Sequence, residues 1–90
     1  MKRIEPKAIG ERLRLLRKTR NISQIQLCEK LGFTPPAYNN YERGTKRPTP
    51  DNALILATFY GATLDYIYTG NLAGVPHLVV QEIEKAAAHI

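Results

Sequence analysis

One cysteine, Cys28, stands in this 90-residue chain, so no intramolecular disulfide can form. It reads as a small core residue on the inner face of a helix, where a thiol is inert. A lone reduced thiol fits a cytoplasmic setting. The two histidines, His77 and His89, are isolated, and no Cys/His cluster has zinc-ligand spacing, so neither metal nor cofactor is expected. Catalytic patterns are missing as well. There is no Ser–His–Asp or Cys–His arrangement and no glycine-rich phosphate loop. A chain this short also has little room for a substrate pocket beside a core. No enzyme and no small-molecule substrate are expected. No apolar run approaches the roughly 20 residues of a membrane span. The N-terminal MKRIEPK lacks the apolar segment of a signal peptide. The expectation is one soluble, cytoplasmic unit with no membrane partner, without internal repeats or low-complexity tracts.

Acidic residues are scarce in the first half. Residues 1–47 hold twelve Lys/Arg against four Asp/Glu, and residues 48–90 hold one against four, which gives +8 and −3 within a net +5. Such asymmetry suits a surface that faces a polyanion on one side. It is equally what a solvated helix face produces, and charge alone does not separate the two.

The stretch from Ser23 to Gly44, SQIQLCEKLGFTPPAYNNYERG, organises the rest. Ser23 and Gln26 have the spacing of a capping box, with Ile22 and Leu27 as the hydrophobic staple around it. A second start follows, with Thr34 as N-cap, Pro35 at the first helical position, and Phe33 and Tyr38 as staple. Between them Leu31-Gly32 closes the first of the two helices, since glycine tolerates the left-handed conformation of a C-cap. Two helices with so short a corner form a helix-turn-helix, whose second helix is shaped to enter a DNA major groove.

The remaining segments also read as helices. The first runs from about Pro6 or Ala8 to Arg20, with Ile9, Leu13 and Leu16 inward and Asn21 closing it. Helix 2, about Gln24 to Leu31, turns Leu27, Cys28 and Leu31 inward. Helix 3, about Pro35 to Arg43, turns Ala37, Tyr38 and Tyr41 inward. Thr49, Pro50 and Asp51 open a central helix carrying Ala53, Leu54, Leu56, Ala57 and Tyr60, which Gly61 ends. Thr63 caps a short helix with Leu64, Ile67 and Tyr68, stopped by Gly70. NLAGVP is a turn or short linker. The last helix spans Pro76 to about Ala88, with an apolar stripe at 79, 83 and 86 that must bury itself on the domain or on a second chain. The fold class is all-α: a five-helix domain over 6–70, a turn at 71–75, and a C-terminal helix within 76–90 that serves dimerisation or covers the core.

With these residues in place, the chain resembles the phage repressor and Cro-like helix-turn-helix family, also called the XRE family. The resemblance covers roughly Ile9 to Gly70. It rests on IGERLRLLRKTRNISQ, QIQLCEKLGF, YERG, RPTP and GATLDYIYTG in that order. It implies a compact repressor-like domain that binds double-stranded operator DNA of palindromic form as a homodimer, a transcriptional regulator of the repressor kind. Helix 3 would be the recognition helix, with Thr34, Pro35, Pro36, Asn39 and Asn40 nearest the bases. Gln24 matches the family's phosphate-contacting glutamine, and Arg43, Thr45, Lys46 and Arg47 would lie along phosphates. Arg17 and Glu42 match an ion pair that ties helix 1 to the end of helix 3.

Three departures stand out. Pro35 and Pro36 sit where the family usually has polar side chains, so those positions offer no donor for base readout and only thymine-methyl contact. Cys28 replaces a usual alanine. Tyr38 and Tyr41 replace aliphatics, and their hydroxyls need partners if buried. Against the functional readings, Gln24 could be an ordinary helix-start residue and Asn39 and Asn40 solvated polar positions. Arg12, Arg14 and Lys18 read as a solvated face. The alternative function is a protein-interaction module, antitoxin-like or adaptor, that keeps the fold with little base readout and uses the apolar tail helix.

Overall fold

The computed structural model describes residues 4–89, and Ile90 at the end of the expected tail segment lies outside them. Its helices are α1 (Pro6–Thr19), α2 (Gln24–Leu31), α3 (Pro35–Arg43), α4 (Pro50–Tyr60), α5 (Leu64–Thr69) and α6 (His77–Ala88), with no strand among the described residues. The all-α expectation therefore holds. Boundaries lie within a residue or so of the sequence reading, because most are set by local caps. Ser23 and Gln26 form the complete capping box, and Thr49 and Thr63 accept from the backbone N–H groups of Asn52 and Tyr66. Asn21 closes α1 in the left-handed region at φ 56°.

α1 is the hub. Its Ile9, Leu13 and Leu16 are fully buried, and the helix packs on α3, α5 and α6. Burying each of these aliphatic side chains contributes about 2 kcal/mol. Leu27 and Cys28 from α2, Tyr38 and Tyr41 from α3, Leu56, Ala57 and Tyr60 from α4, and Tyr66 and Ile67 from α5 complete the core. From α6 comes Ile83, and Val79 and Val80 pack against the core as a whole.

The α1–α3 crossing is very close, and glycine makes it possible. A Cβ on Gly10 would lie 2.4 Å from the Glu42 carbonyl oxygen and 2.6 Å from that of Tyr41. At the other end of the seam, Gly44 has φ +78° and its Cβ position lies 2.6 Å from the Lys7 Cα. Any side chain at either position would push the two backbones apart.

Ala37 and the Thr34 cap differ from expectation, and not all of the apolar content of α4 and α5 is buried. Ala37 is exposed. At about 100° per residue, Tyr38, Tyr41 and Glu42 share one arc, and Ala37 falls at its margin. The third inward position of α3 thus belongs to a carboxylate. Leu54 is 54% exposed and Leu64 37%, since α4 and α5 bury only the faces that carry Leu56 and Ile67. Thr34 sits in N-cap conformation but makes no side-chain cap bond. Pro35 and Pro36 bring no N–H to the first turn, so little is left there to cap.

Candidate nucleic-acid interface

The start of α2 is tied down from beneath. Arg17 Nε donates to Glu42 Oε2 at 2.8 Å, Nη2 to Glu42 Oε1 at 3.0 Å, and Nη1 to the Ile22 carbonyl oxygen at 2.9 Å. The guanidinium thus grips the end of α3 with two donors and the residue just ahead of α2 with the third. Glu42 Oε1 also accepts from Gln24 Nε2 at 3.1 Å. The Glu42 side chain is 5% exposed and that of Arg17 17%. Burial alone pushes the Glu42 carboxyl up, but the hydrogen bonds and charge of Arg17, with the Gln24 bond, outweigh it and hold it below its ordinary value. The same bonding raises Arg17.

Two tyrosines flank this cluster. The Tyr38 and Tyr60 hydroxyls are buried without a hydrogen-bond partner among the described residues. Burial first, then the nearby Glu42 carboxylate, pushes both phenols above their ordinary range. Tyr41 is better served, because Asn52 Nδ2 donates to its hydroxyl at 2.9 Å. Cys28 is 2% exposed and its thiol is pushed up by burial, which makes it a core residue with little thiolate.

The start of α3 has the opposite character. Thr34, Pro35 and Pro36 are all exposed, and the Thr34 hydroxyl makes no cap bond. Asn39 and Asn40 are half-buried on the next turn. Thr45 Oγ1 donates to Asn40 Oδ1, at 3.0 Å, which engages the carboxamide oxygen and leaves its N–H groups as the donors not used in that bond. The carbonyl oxygen of Asn40 accepts from the backbone of Thr45 and Lys46, so the loop after α3 folds back onto the helix end.

At the end of α3 and in that loop the cations divide. Arg43 and Lys46 are exposed, whereas Arg47 donates to the Ile4 carbonyl oxygen at 2.8 Å and is partly committed to the N-terminal segment. Arg12 is not a solvated residue of the α1 face. It donates to the carbonyls of Ile67 at 2.9 Å and Tyr68 at 3.1 Å, and burial pulls its guanidinium below the ordinary value. Arg12 serves as a side-chain cap for the end of α5. Its targets lie 55 and 56 positions away, and no local pattern could have announced them. Arg20 likewise covers the Phe59 ring, 5.4 Å from its centroid. Among the described residues no His/Cys/Asp/Glu group could hold a metal ion, and no helix is long and apolar enough to cross a membrane.

Two short helices at a tight corner, the second starting bare at the surface and cations following it, define a helix-turn-helix unit. The family described as helix-turn-helix matches residues 13–67, which include every candidate contact residue named above. The chain belongs to that family, of the Cro/C1-like XRE type, a DNA-binding and non-enzymatic class. It is similar to the uncharacterized HTH-type transcriptional regulator YobD of Bacillus subtilis (strain 168), 42% identical over 57 residues, covering 63% of this chain and 51% of that protein. It is also similar to the uncharacterized HTH-type transcriptional regulator YqaE of the same organism, 33% identical over 61 residues, covering 68% and 53%. A third is the SPbeta prophage-derived uncharacterized HTH-type transcriptional regulator YonR, 31% identical over 64 residues, covering 71% and 59%. The chain thus spans about half the length of the curated relatives it matches. No solved structure matches it significantly.

Proposed function

We propose that this chain is a sequence-specific double-stranded DNA-binding regulator that acts as a dimeric repressor and reads the major groove with α3. The observation that carries this is the division between the two helix starts. The start of α2 retains its backbone N–H groups and the Gln24 carboxamide, which suits a phosphate. The start of α3 has no N–H at Pro35 and Pro36 and cannot cradle an anion, yet it is the exposed edge. Phosphate goes to α2, and base edges go to α3.

In this reading Gln24, Arg43, Thr45, Lys46 and Arg47 meet the backbone of the duplex. Asn40 reads a base through its free amide, with Thr34 and Asn39 as further polar contacts. The two proline rings pack on thymine methyls. A homodimer would place two such helices about 34 Å apart in successive major grooves of a palindromic operator.

Selection of bound sequences from a random duplex pool tests the whole of this. Enrichment of a two-fold symmetric site with half-sites one helical turn apart is the expected result, and a pool without enrichment would sink it. Within the enriched site, Asn40→Ala should relax preference at one position by about 1–3 kcal/mol. Lys46→Ala should weaken all sequences alike and lower the salt slope by about 1.

The exposed Leu54 (54%) and Leu78 (72%) favour a second reading, an antitoxin-like or adaptor module bound through its apolar surface. The same selection separates the two, because such a module would return no enriched sequence.

A further inference from the structure

Gln24 has a feature that its position at a helix start does not by itself explain: its side chain is held before any ligand arrives. Glu42, fixed by two bonds from Arg17, is an ionised carboxylate and can only accept. Its contact with the Gln24 carboxamide at 3.1 Å therefore decides which way that group is turned, with nitrogen toward Glu42. A phosphate is also acceptor-only. A glutamine free to flip would spend part of its time presenting its own oxygen to the phosphate, which repels. A glutamine held by one N–H has its second N–H left to donate.

We propose that Glu42 is a positioning residue for the phosphate contact, accepting one N–H of Gln24 so that the other faces the DNA backbone. This rests on the reading of Gln24 as a phosphate ligand. The negative charge so close to a phosphate is tolerable because Arg17 neutralises it. All three guanidinium nitrogens of Arg17 are engaged within the protein, so Arg17 serves this purpose without touching DNA. Pro35 and Pro36 give the arrangement its importance here. Neither has a side-chain acceptor or donor that could orient Gln24 from the start of α3.

The test uses the full chain and a mixed-sequence duplex at low salt, since a phosphate contact is independent of sequence. Gln24→Ala is measured in two backgrounds, wild type and the paired swap Arg17→Met with Glu42→Leu. The swap leaves the net charge unchanged, and replacing both partners of a buried pair with apolar residues is often neutral for folding. In wild type, Gln24→Ala should weaken binding about tenfold, the scale of one hydrogen bond to a charged group. In the swapped background the loss should shrink to about threefold or less. Equal losses in both backgrounds would overturn the positioning role while leaving the phosphate contact intact. A negligible loss in wild type would overturn the contact and the positioning together. Should the swap fail to fold, side-chain ¹⁵N relaxation of the free wild-type protein gives the answer. The Gln24 amide is expected to be as rigid as the backbone and the exposed Gln81 amide mobile. A Gln24 amide as mobile as that of Gln81 would overturn the proposal.

Discussion

The starts of α2 and α3 lie one corner apart and solve the same problem in opposite ways. At α2 the free backbone donors are kept and managed. Ser23 and Gln26 satisfy each other's backbone N–H, and Arg17 holds the Ile22 carbonyl oxygen just upstream. At α3 the donors are removed instead, because Pro35 and Pro36 carry none and Thr34 caps nothing. The first solution makes a stiff, electropositive helix end that suits an anion. The second makes a rigid and chemically quiet edge, so in the proposed function polar contact falls to a few side chains one turn later. Under the proposed function, the choice of residues at these two N-termini separates holding from reading.

The most damaging way to break this contrast is at Arg17. Arg17→Ala would leave Glu42 buried and unpaired and free the residue ahead of α2, at a cost of about 3–4 kcal/mol in urea unfolding. Amide exchange should rise at residues 24–27 more than at 37–40, since only α2 loses its upstream anchor. The same pair predicts an acid limb of the stability curve. Glu42 is held below its ordinary carboxyl value in the folded state, so its contribution is complete above the unfolded value of about 4.5 and is lost as pH falls through the folded one. Glu42→Gln should flatten that part of the curve.

Gly10→Ala attacks the α1–α3 seam at the backbone of Glu42. A methyl 2.4 Å from the Glu42 carbonyl oxygen must drive α1 and α3 apart, with a loss of about 2–3 kcal/mol, measured in the same unfolding experiment. The smallest pair is also the sharpest. Ser23→Ala removes a formed cap bond and should cost about 1 kcal/mol. Thr34→Ala removes none and should stay within about 0.5 kcal/mol. Equal costs at the two positions would erase the distinction between the starts.

Legibility followed the range of the interactions. The ends of α2, α4 and α5 could be read directly, because Ser23, Thr49 and Thr63 bond within three residues of themselves. The Arg17–Glu42 pair is legible only through the family resemblance, since nothing local links residues 25 positions apart. The inward face of α3 lies one step from where hydropathy places it. Ala37 is apolar and Glu42 is charged, and hydropathy alone favours the wrong one. Arg12 is hidden for a related reason: an arginine on a helix with four neighbouring cations looks solvated until the end of α5 is brought against it.

Composition, capping and helical spacing by themselves determined that this chain is all helical, where its helices start and stop, and that two of them meet at Gly32–Thr34. Those features depend on backbone donors, glycine and proline dihedrals and side chains a few positions away, which are properties of the linear chain. The tertiary structure decided that Glu42 faces inward, that Gln24 is held by it, that Arg12 caps α5 and that Arg47 is tied to Ile4. Each of these joins groups from separate elements, and only the close α1–α3 seam and the packing around it bring their polar atoms within bonding distance.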